Sequence, residues 1–490
     1  MNLVDFFFET AENQPDQELM VGLGKESLYT YGEFKKSVES LADIMKDLGV
    51  QKGYCVAVHC PNSPAYISVT YALWRCGSCV IPIPHELKKE EKEQIFKAIR
   101  IDAVVSKASM ISDVESLRTS EPVPLSDQDV LFFHVRPQRD HPSVFKDVNA
   151  AFIRFTSGTT GNAKGIVLSH ETVYDRICAA NQVLHIDSDD RVVWLLSMAY
   201  HFVVTIISYL TFGATIVFCK NNFGKTIIRS AIQHKATVIY GSPLHYDLMA
   251  HDTGTELLPR IRLAMATTTS LKKETYNAFY NRFKIPINET YGIIEIGLPC
   301  INIDQPYKKK GSVGRLLPAY EILMQEVDSE SNEKLINLRG AGILDAYYDP
   351  WEMRETLLEK NNGWFATGDS GFIDKDGFLY IKGRLKEAIN VGGMKFFPQE
   401  VEAVLEDHPL ITEACVFGYP DNRFGEIPYA QIVRCRNKNN QNPTETELNE
   451  YCLNRLSEFK IPKRFLFVKE LSRTASYKLI RDPARLSLKL

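Results

Sequence analysis

The chain is predicted to be an α/β protein. A large N-terminal domain of layered parallel sheets and helices covers residues 1–385, and a small α+β domain covers 386–490. Three observations predict this. The length of 490 residues exceeds one small core and sets an expectation of two to four domains. Apolar strand-like runs alternate with helical-period segments through the first third and again after residue 150, the pattern of parallel sheets covered on both faces. The last hundred residues change to short strands around one helix.

The elements follow in order. Phe34, Val38, Leu41, Met45 and Leu48 recur at helical spacing, and Gly49 stops that helix. Cys55 to His59 reads as a buried strand. Ser63 caps the next helix, with Pro64 at its first position and Gly77 beyond its end. Strands at Cys79 to Ile83 and Asp102 to Ser106 flank a helix from Glu90 to Arg100. Thr237 to Tyr240, Arg262 to Met265 and Phe378 to Lys382 read as further strands. The longest apolar run, Phe202 to Phe218, contains Thr205, Ser208, Thr211 and Gly213. It falls short of the roughly 20 residues of a membrane span. It is predicted to be a buried helix, a break at Gly213 and a short strand, so no transmembrane segment is expected. Beyond residue 386, Ile411 to Phe417, Tyr429 to Cys435 and Phe465 to Val468 read as strands. A helix from Glu445 to Ser457 has a capping box in Thr444 and Glu447.

Composition narrows the function. Hydrophobic residues at 44% and charged residues at 24% exclude a disordered chain, and a net charge of −4 gives no reason to expect a nucleic-acid partner. Asp5 and the lack of basic residues around it argue against a signal peptide. Ten scattered cysteines, several inside apolar runs, suggest reduced thiols and a cytoplasmic location. Cys76 and Cys79 form a CxxC that no second pair follows, which reads as two core thiols around a helix end.

The segment Phe155-Thr-Ser-Gly-Thr-Thr-Gly-Asn-Ala-Lys-Gly165 is the strongest chemical signal. Its hydroxyls (Thr156, Ser157, Thr159, Thr160), its glycines (Gly158, Gly161, Gly165) and Lys164 lie between two apolar runs. Such a loop offers backbone N–H groups, hydroxyl donors and one cation to a polyphosphate. It is not a Walker A loop.

The segment resembles the phosphate-loop signature of the adenylate-forming superfamily: acyl-CoA and aryl-CoA synthetases, peptide-synthetase adenylation domains and firefly luciferase. Other segments stand in the family's order, including Glu289-Thr-Tyr-Gly-Ile-Ile-Glu295, Gly363-Trp-Phe-Ala-Thr-Gly-Asp369, Gly383-Arg-Leu-Lys-Glu387 and Arg473-Thr-Ala-Ser-Tyr-Lys478. The resemblance covers nearly the whole chain. It implies ATP and Mg²⁺ as cofactors and attack of a small-molecule carboxylate on the α-phosphate. Thr156 to Gly161 and Lys164 would then hold the β- and γ-phosphates. Glu295, with Thr156, would hold the metal, a hard cation that prefers oxygen ligands. Glu289, Thr290, Tyr291 and Gly292 would border the nucleotide, with Tyr291 stacked on adenine. Asp369 would accept the ribose hydroxyls, and Arg384 would give a second ribose and phosphate contact. Lys478 would reach the α-phosphate in the adenylation step. Lys386 would be the hinge about which the C-terminal domain rotates, and Gly392 and Gly393 would line the thiol channel.

The sequence departs from the family at several places. Ala163 stands in place of a usual proline, and Ala266-Thr-Thr-Thr-Ser-Leu271 in place of a Gly/Ala-rich segment that backs adenine and floors the acyl pocket. Ile294 replaces a threonine, and Ser472 and Tyr477 replace a proline and a glycine. Tyr200, His201, Ser242, Thr267, Thr268, Thr269, Gly292 and Ile293 are the expected pocket residues. No acid stands in Ser197 to Val204 to pair with an α-ammonium, so a fatty or aromatic acid without an amino group is expected. The acyl acceptor is either CoA or the phosphopantetheine arm of a carrier protein, which share one thiol arm. A third reading is a nucleotide-binding member that has lost catalysis.

Overall fold

The computed structural model describes residues 1–22, 25–125, 129–155, 164–326, 334–435, 443–474 and 478–486. Within them the chain forms two compact units. The first holds residues 1–155 and Lys164–Glu321 together with Arg339–Gly363. The second holds Ile322–Leu338 and Trp364–Leu490. This division falls earlier than residue 385. The reason is one continuous sheet in the order Tyr320–Glu326, Lys334–Gly340, Phe365–Ile373, Leu379–Arg384, which draws Ile322–Leu338 and the strands before 385 into the second unit.

The first unit contains two nine-stranded sheets. One has a parallel centre formed by Glu18–Gly22, Thr215–Phe218, Arg191–Trp194, Val238–Gly241, Leu263–Ala266 and Asn288–Ile293. The other is parallel through Ala103–Lys107, Cys55–His59, Cys79–Pro82 and Ala150–Phe155. The expectation of parallel sheets holds for these centres only. Antiparallel strands border both sheets, among them Gly297–Ile301, Val130–His134 and Gly165–Ser169. Only three residues separate Asn288–Ile293 from Gly297–Ile301, a link that permits a hairpin and is too short for a parallel crossover.

The helix Pro64–Arg75 is buried from Ala65 to Trp74, and Ser63 and Pro64 cap it as predicted. Phe202 packs its ring against Tyr66, Tyr71 and Trp74. Phe202–Ile206 forms a π-helix that runs into the α-helix Ile207–Thr211. Gly213, at φ +89°, ends it before the strand Thr215–Phe218. The helix His170–Leu184 touches strands of both sheets. Among the described residues no helix is long and apolar enough to cross a membrane.

In the second unit a further sheet pairs the long hairpin Ile411–Asp421/Gly425–Arg434 with Arg464–Val468 and the small hairpin Ile389–Val391/Met394–Phe396. Thr444 and Glu447 form the predicted capping box, but the helix stops at Leu453, short of Ser457.

Candidate active site

The strand order of the first sheet places the site. After Arg191–Trp194 the chain adds Thr215–Phe218 on one side, then returns to add Val238–Gly241 on the other. This is a topological switch point, and α/β sheets take ligands in the crevice outside the carboxyl ends of the strands there. Four adjacent carboxyl ends run directly into predicted site residues. Trp194 leads to Tyr200 and His201, Gly241 to Ser242, Ala266 to Thr267, Thr268 and Thr269, and Ile293 to Glu295.

Local contacts join these segments. Asn62 donates to Leu196 O at 2.7 Å and accepts from Met198 N at 2.7 Å, which fixes the start of the Tyr200 helix. The half-buried His201 ring lies edge-on to Tyr240, 6.2 Å between centroids, across the switch point. Burial holds the pKa of the Tyr240 hydroxyl up, and the neighbouring Thr267 and Thr205 side chains oppose that shift. Thr267 N donates to Gly241 O at 3.2 Å, and Thr290 Oγ1 donates to Ala266 O at 3.0 Å. Ser242 Oγ is 2.9 Å from His245 Nδ1, and burial lowers His245 to about 4, so that ring is neutral at physiological pH. Thr268 holds φ +84°, a conformation costly for a β-branched side chain. Thr268 lies in the Ala266–Leu271 stretch, where the sequence departs from the Gly/Ala-rich pattern of the family it resembles.

Glu295 sits half-buried in the turn between Asn288–Ile293 and Gly297–Ile301. The turn is closed by Ile296 N donating to Ile293 O at 3.0 Å, and Leu344 N donates to Glu295 O at 2.7 Å. Gly292 has no space for a side chain, because a Cβ would approach Gly297 O to 2.7 Å. Ile293 is half-buried. Tyr291, expected to stack on adenine, is 8% exposed and lies opposite Cys300 in the ladder. Glu289 accepts from Gly311 N at 2.6 Å, and burial pushes its acid up to about 7. Its carboxylate therefore already fastens a neighbouring turn. Lys164 Nζ lies 4.1 Å from the Tyr347 ring centroid. Thr156, Ser157, Gly158, Thr159, Thr160 and Gly161 lie outside the described residues.

Two arginines that the motifs did not single out border this region. Arg154 donates from Nη1 to Tyr200 O at 2.6 Å and lies over the Tyr200 ring at 5.0 Å. Its Nε is buried without a hydrogen-bond partner. Arg176 is buried on the helix His170–Leu184. Burial lowers the pKa of both, and the charge of Glu295 opposes that shift in each. One signal could have found them. Arg154 interrupts the apolar strand Ala-Ala-Phe-Ile-Arg-Phe, and Arg176 shares the buried helix face of Val173, Ile177 and Ala180.

In the second unit Asp369 is 4% exposed and faces Arg384 directly across two paired strands. Arg384 Nε is 3.1 Å from Asp369 Oδ1. Lys386 is exposed in the short 3-10 turn Leu385–Glu387, beside the Glu387–Arg481 ion pair at 2.9 Å. Gly392 and Gly393, at φ +60° and +94°, form the tip of a hairpin, and Gly393 N donates to Asn390 Oδ1 at 2.9 Å. Lys478 is exposed next to the bridge between Arg473 and Leu479.

The donors suit the implied groups. Glu295 is a half-buried carboxylate on a braced turn, an oxygen ligand of the kind Mg²⁺ accepts alongside phosphate oxygens and water. Asp369 offers two acceptor oxygens, enough for a pair of ribose hydroxyls.

Known proteins agree with this fold. The chain is 27% identical to a long-chain-fatty-acid–CoA ligase of Mycobacterium tuberculosis over 472 residues, 93% of this chain and 92% of the relative. It is 26% identical to a 2-succinylbenzoate–CoA ligase of Bacillus cereus, over 94% of each chain. Its fold is similar to that of the o-succinylbenzoate CoA synthetase of Bacillus subtilis in complex with its acyl-adenylate intermediate, with a TM-score of 0.83, 22% identity and coverage of 99% and 98%. The model of the AMP-binding enzyme family matches residues 7–348, that of the AMP-binding enzyme C-terminal domain matches 400–478, and the chain belongs to this family.

Proposed function

We propose that this chain is an AMP-forming carboxylic acid–CoA ligase acting on a fatty or aromatic acid without an amino group. The carrying observation is the switch point, where four adjacent strand ends deliver Tyr200–His201, Ser242, Thr267–Thr269 and Glu295 to one sheet edge. The CoA-ligase activity named for the two relatives supports the same reading.

In the first step a carboxylate oxygen bonds to the α-phosphorus of ATP, and the bond to pyrophosphate breaks. In the second a thiolate attacks the acyl carbonyl, and AMP leaves with the bonding electron pair. Glu295, with Thr156, is assigned to Mg²⁺, which when bound neutralises charge on the polyphosphate. Thr156 to Gly161 and Lys164 are assigned to the β- and γ-phosphates, Asp369 and Arg384 to the ribose, and Thr290 to Gly292 to the adenine edge. Lys478 supplies a cation where charge develops during adenylation. The apolar Phe202 to Ile207 stretch and the Thr267–Thr269 segment shape the acyl site, and His201 faces the acid. Lys386 is assigned as hinge and Gly392–Gly393 as the thiol passage, where small residues let a thin chain pass. Free cysteines suit a cytoplasmic location.

A pyrophosphate-release screen over carboxylic acids, run with CoA and with a phosphopantetheinyl carrier protein as alternative acceptors, tests the proposal. Release that needs an acid and yields an acyl-CoA is expected. Thioester formed only on the carrier would transfer the reading to a carrier-loading enzyme. No release with any acid would leave a nucleotide-binding member without catalysis.

A further inference from the structure

Arg176 is 2% exposed, and its side chain threads between two glycines far apart in sequence. Its Nε donates to Gly342 O at 2.5 Å. A Cβ on Gly342 would come 2.2 Å from Arg176 Cγ, and one on Gly297 would come 3.1 Å from Cγ and Cδ. The two glycine segments are also tied to each other, since Leu344 N donates to Glu295 O at 2.7 Å. The same helix holds Asp345. Thr172 Oγ1 donates to Asp345 Oδ1 at 3.0 Å, and Ser169 N donates to Asp345 Oδ2 at 2.6 Å. On the other side, Tyr320 Oη donates to Ile296 O at 3.2 Å. Arg176 is thus a peg through the joint that holds the Glu295 turn to the Gly342–Asp345 segment.

A peg requires volume and one donor, which glutamine supplies. Arg176 adds a charge, and its Nη1 and Nη2 are buried without hydrogen-bond partners. A buried guanidinium without matched acceptors is costly unless negative charge lies near. Its charged neighbours include Glu295 and Asp345, with Arg354 opposing. Burial brings it down to about 10, so it remains a cation at neutral pH. The field of such a cation opposes a bare divalent metal at Glu295 and favours the same metal accompanied by polyphosphate charge.

We propose that Arg176 is a positioning residue for Mg·ATP: it pegs the turn that carries Glu295, and its charge makes the site take the metal together with the nucleotide rather than alone. This rests on the assignment of Glu295 to Mg²⁺. Arg176→Gln keeps a donor for Gly342 O and removes the charge, whereas Arg176→Lys keeps the charge. Titration calorimetry of the full chain with Mg·ATP, with AMP in EDTA, and with Mg²⁺ alone reads the effect, and circular dichroism checks folding. Arg176→Gln is expected to bind Mg·ATP ~10-fold more weakly, while AMP affinity stays within about twofold and Arg176→Lys recovers to within about threefold. Arg176→Gln is also expected to bind Mg²⁺ alone more tightly than the native chain. Equal Mg·ATP affinity for the Gln and Lys variants, or parallel loss of AMP and Mg·ATP, overturns the proposal. Glu295→Ala separates the two levels. If it leaves Mg·ATP binding unchanged, the metal assignment itself fails. If it weakens binding while Arg176→Gln does not, only the role of Arg176 fails.

Discussion

Glu295 and Asp369 are both assigned to ATP, and the chain holds them by different means. Asp369 sits in an antiparallel ladder, directly opposite Arg384 and next to a register shift between Ser370 and Gly371. Glu295 sits on an irregular turn braced by Leu344, Tyr320 and Arg176, groups up to 119 residues away in sequence, as the numbering shows. A ladder places a side chain through repeated local bonds and tolerates change at its neighbours. A braced turn depends on several distant contacts at once, so single substitutions around it should have larger consequences.

The strongest test of that contrast is Glu295→Ala. Mg²⁺-dependent pyrophosphate exchange should fall by ~10³-fold if the proposed assignment of Glu295 to the metal holds, because the metal would neutralise developing charge. Thermal unfolding should barely move, because the carboxylate is half-buried and contributes little to the core. A large drop in Tm would instead make Glu295 a structural residue.

Next comes Glu289, six residues before it on the strand leading to the turn. Its folded pKa of about 7 lies above the ordinary 4.5, so the folded state binds the proton more tightly than the unfolded one. The associated stability is complete below about pH 4.5 and is lost as pH rises through 7. Glu289→Gln should remove that slope and leave the variant more stable than the native chain at pH 8, by up to about 3 kcal/mol. Urea melts at pH 5 and pH 8 check this, and equal pH dependence in the two proteins would refute it.

On the ladder, Asp369→Asn should raise the KM for ATP about tenfold with kcat nearly unchanged, because charge-assisted hydrogen bonds to the ribose weaken while the strand persists. Initial-rate kinetics over ATP concentration decide it, and a fall in kcat at constant KM would place Asp369 outside the nucleotide contact.

The smallest effect is expected at Thr268. Thr268→Gly should stabilise the fold by about 1 kcal/mol through relief of the positive φ, less the added unfolded-state entropy of glycine. Destabilisation would mean that the threonine side chain contributes more than its backbone strain costs.

What the sequence determined by itself lies within three or four residues of its cause. Ser63 and Pro64 start a helix, Thr444 and Glu447 start another, and the apolar runs become the parallel centres of the two sheets. The order of motifs identified the family and pointed to Glu295, Asp369, Arg384 and Lys478. Only the tertiary structure decided the switch point between Arg191–Trp194 and Val238–Gly241, the antiparallel borders, the bond from Gly311 to Glu289 and the path of Arg176 between Gly297 and Gly342. Strand order and buried charge depend on which distant segments meet. A window of a few residues fixes dihedral preference and periodicity, but the pairing of positions 176, 297 and 342 exists only once loop closure has brought three separate segments into one packed joint.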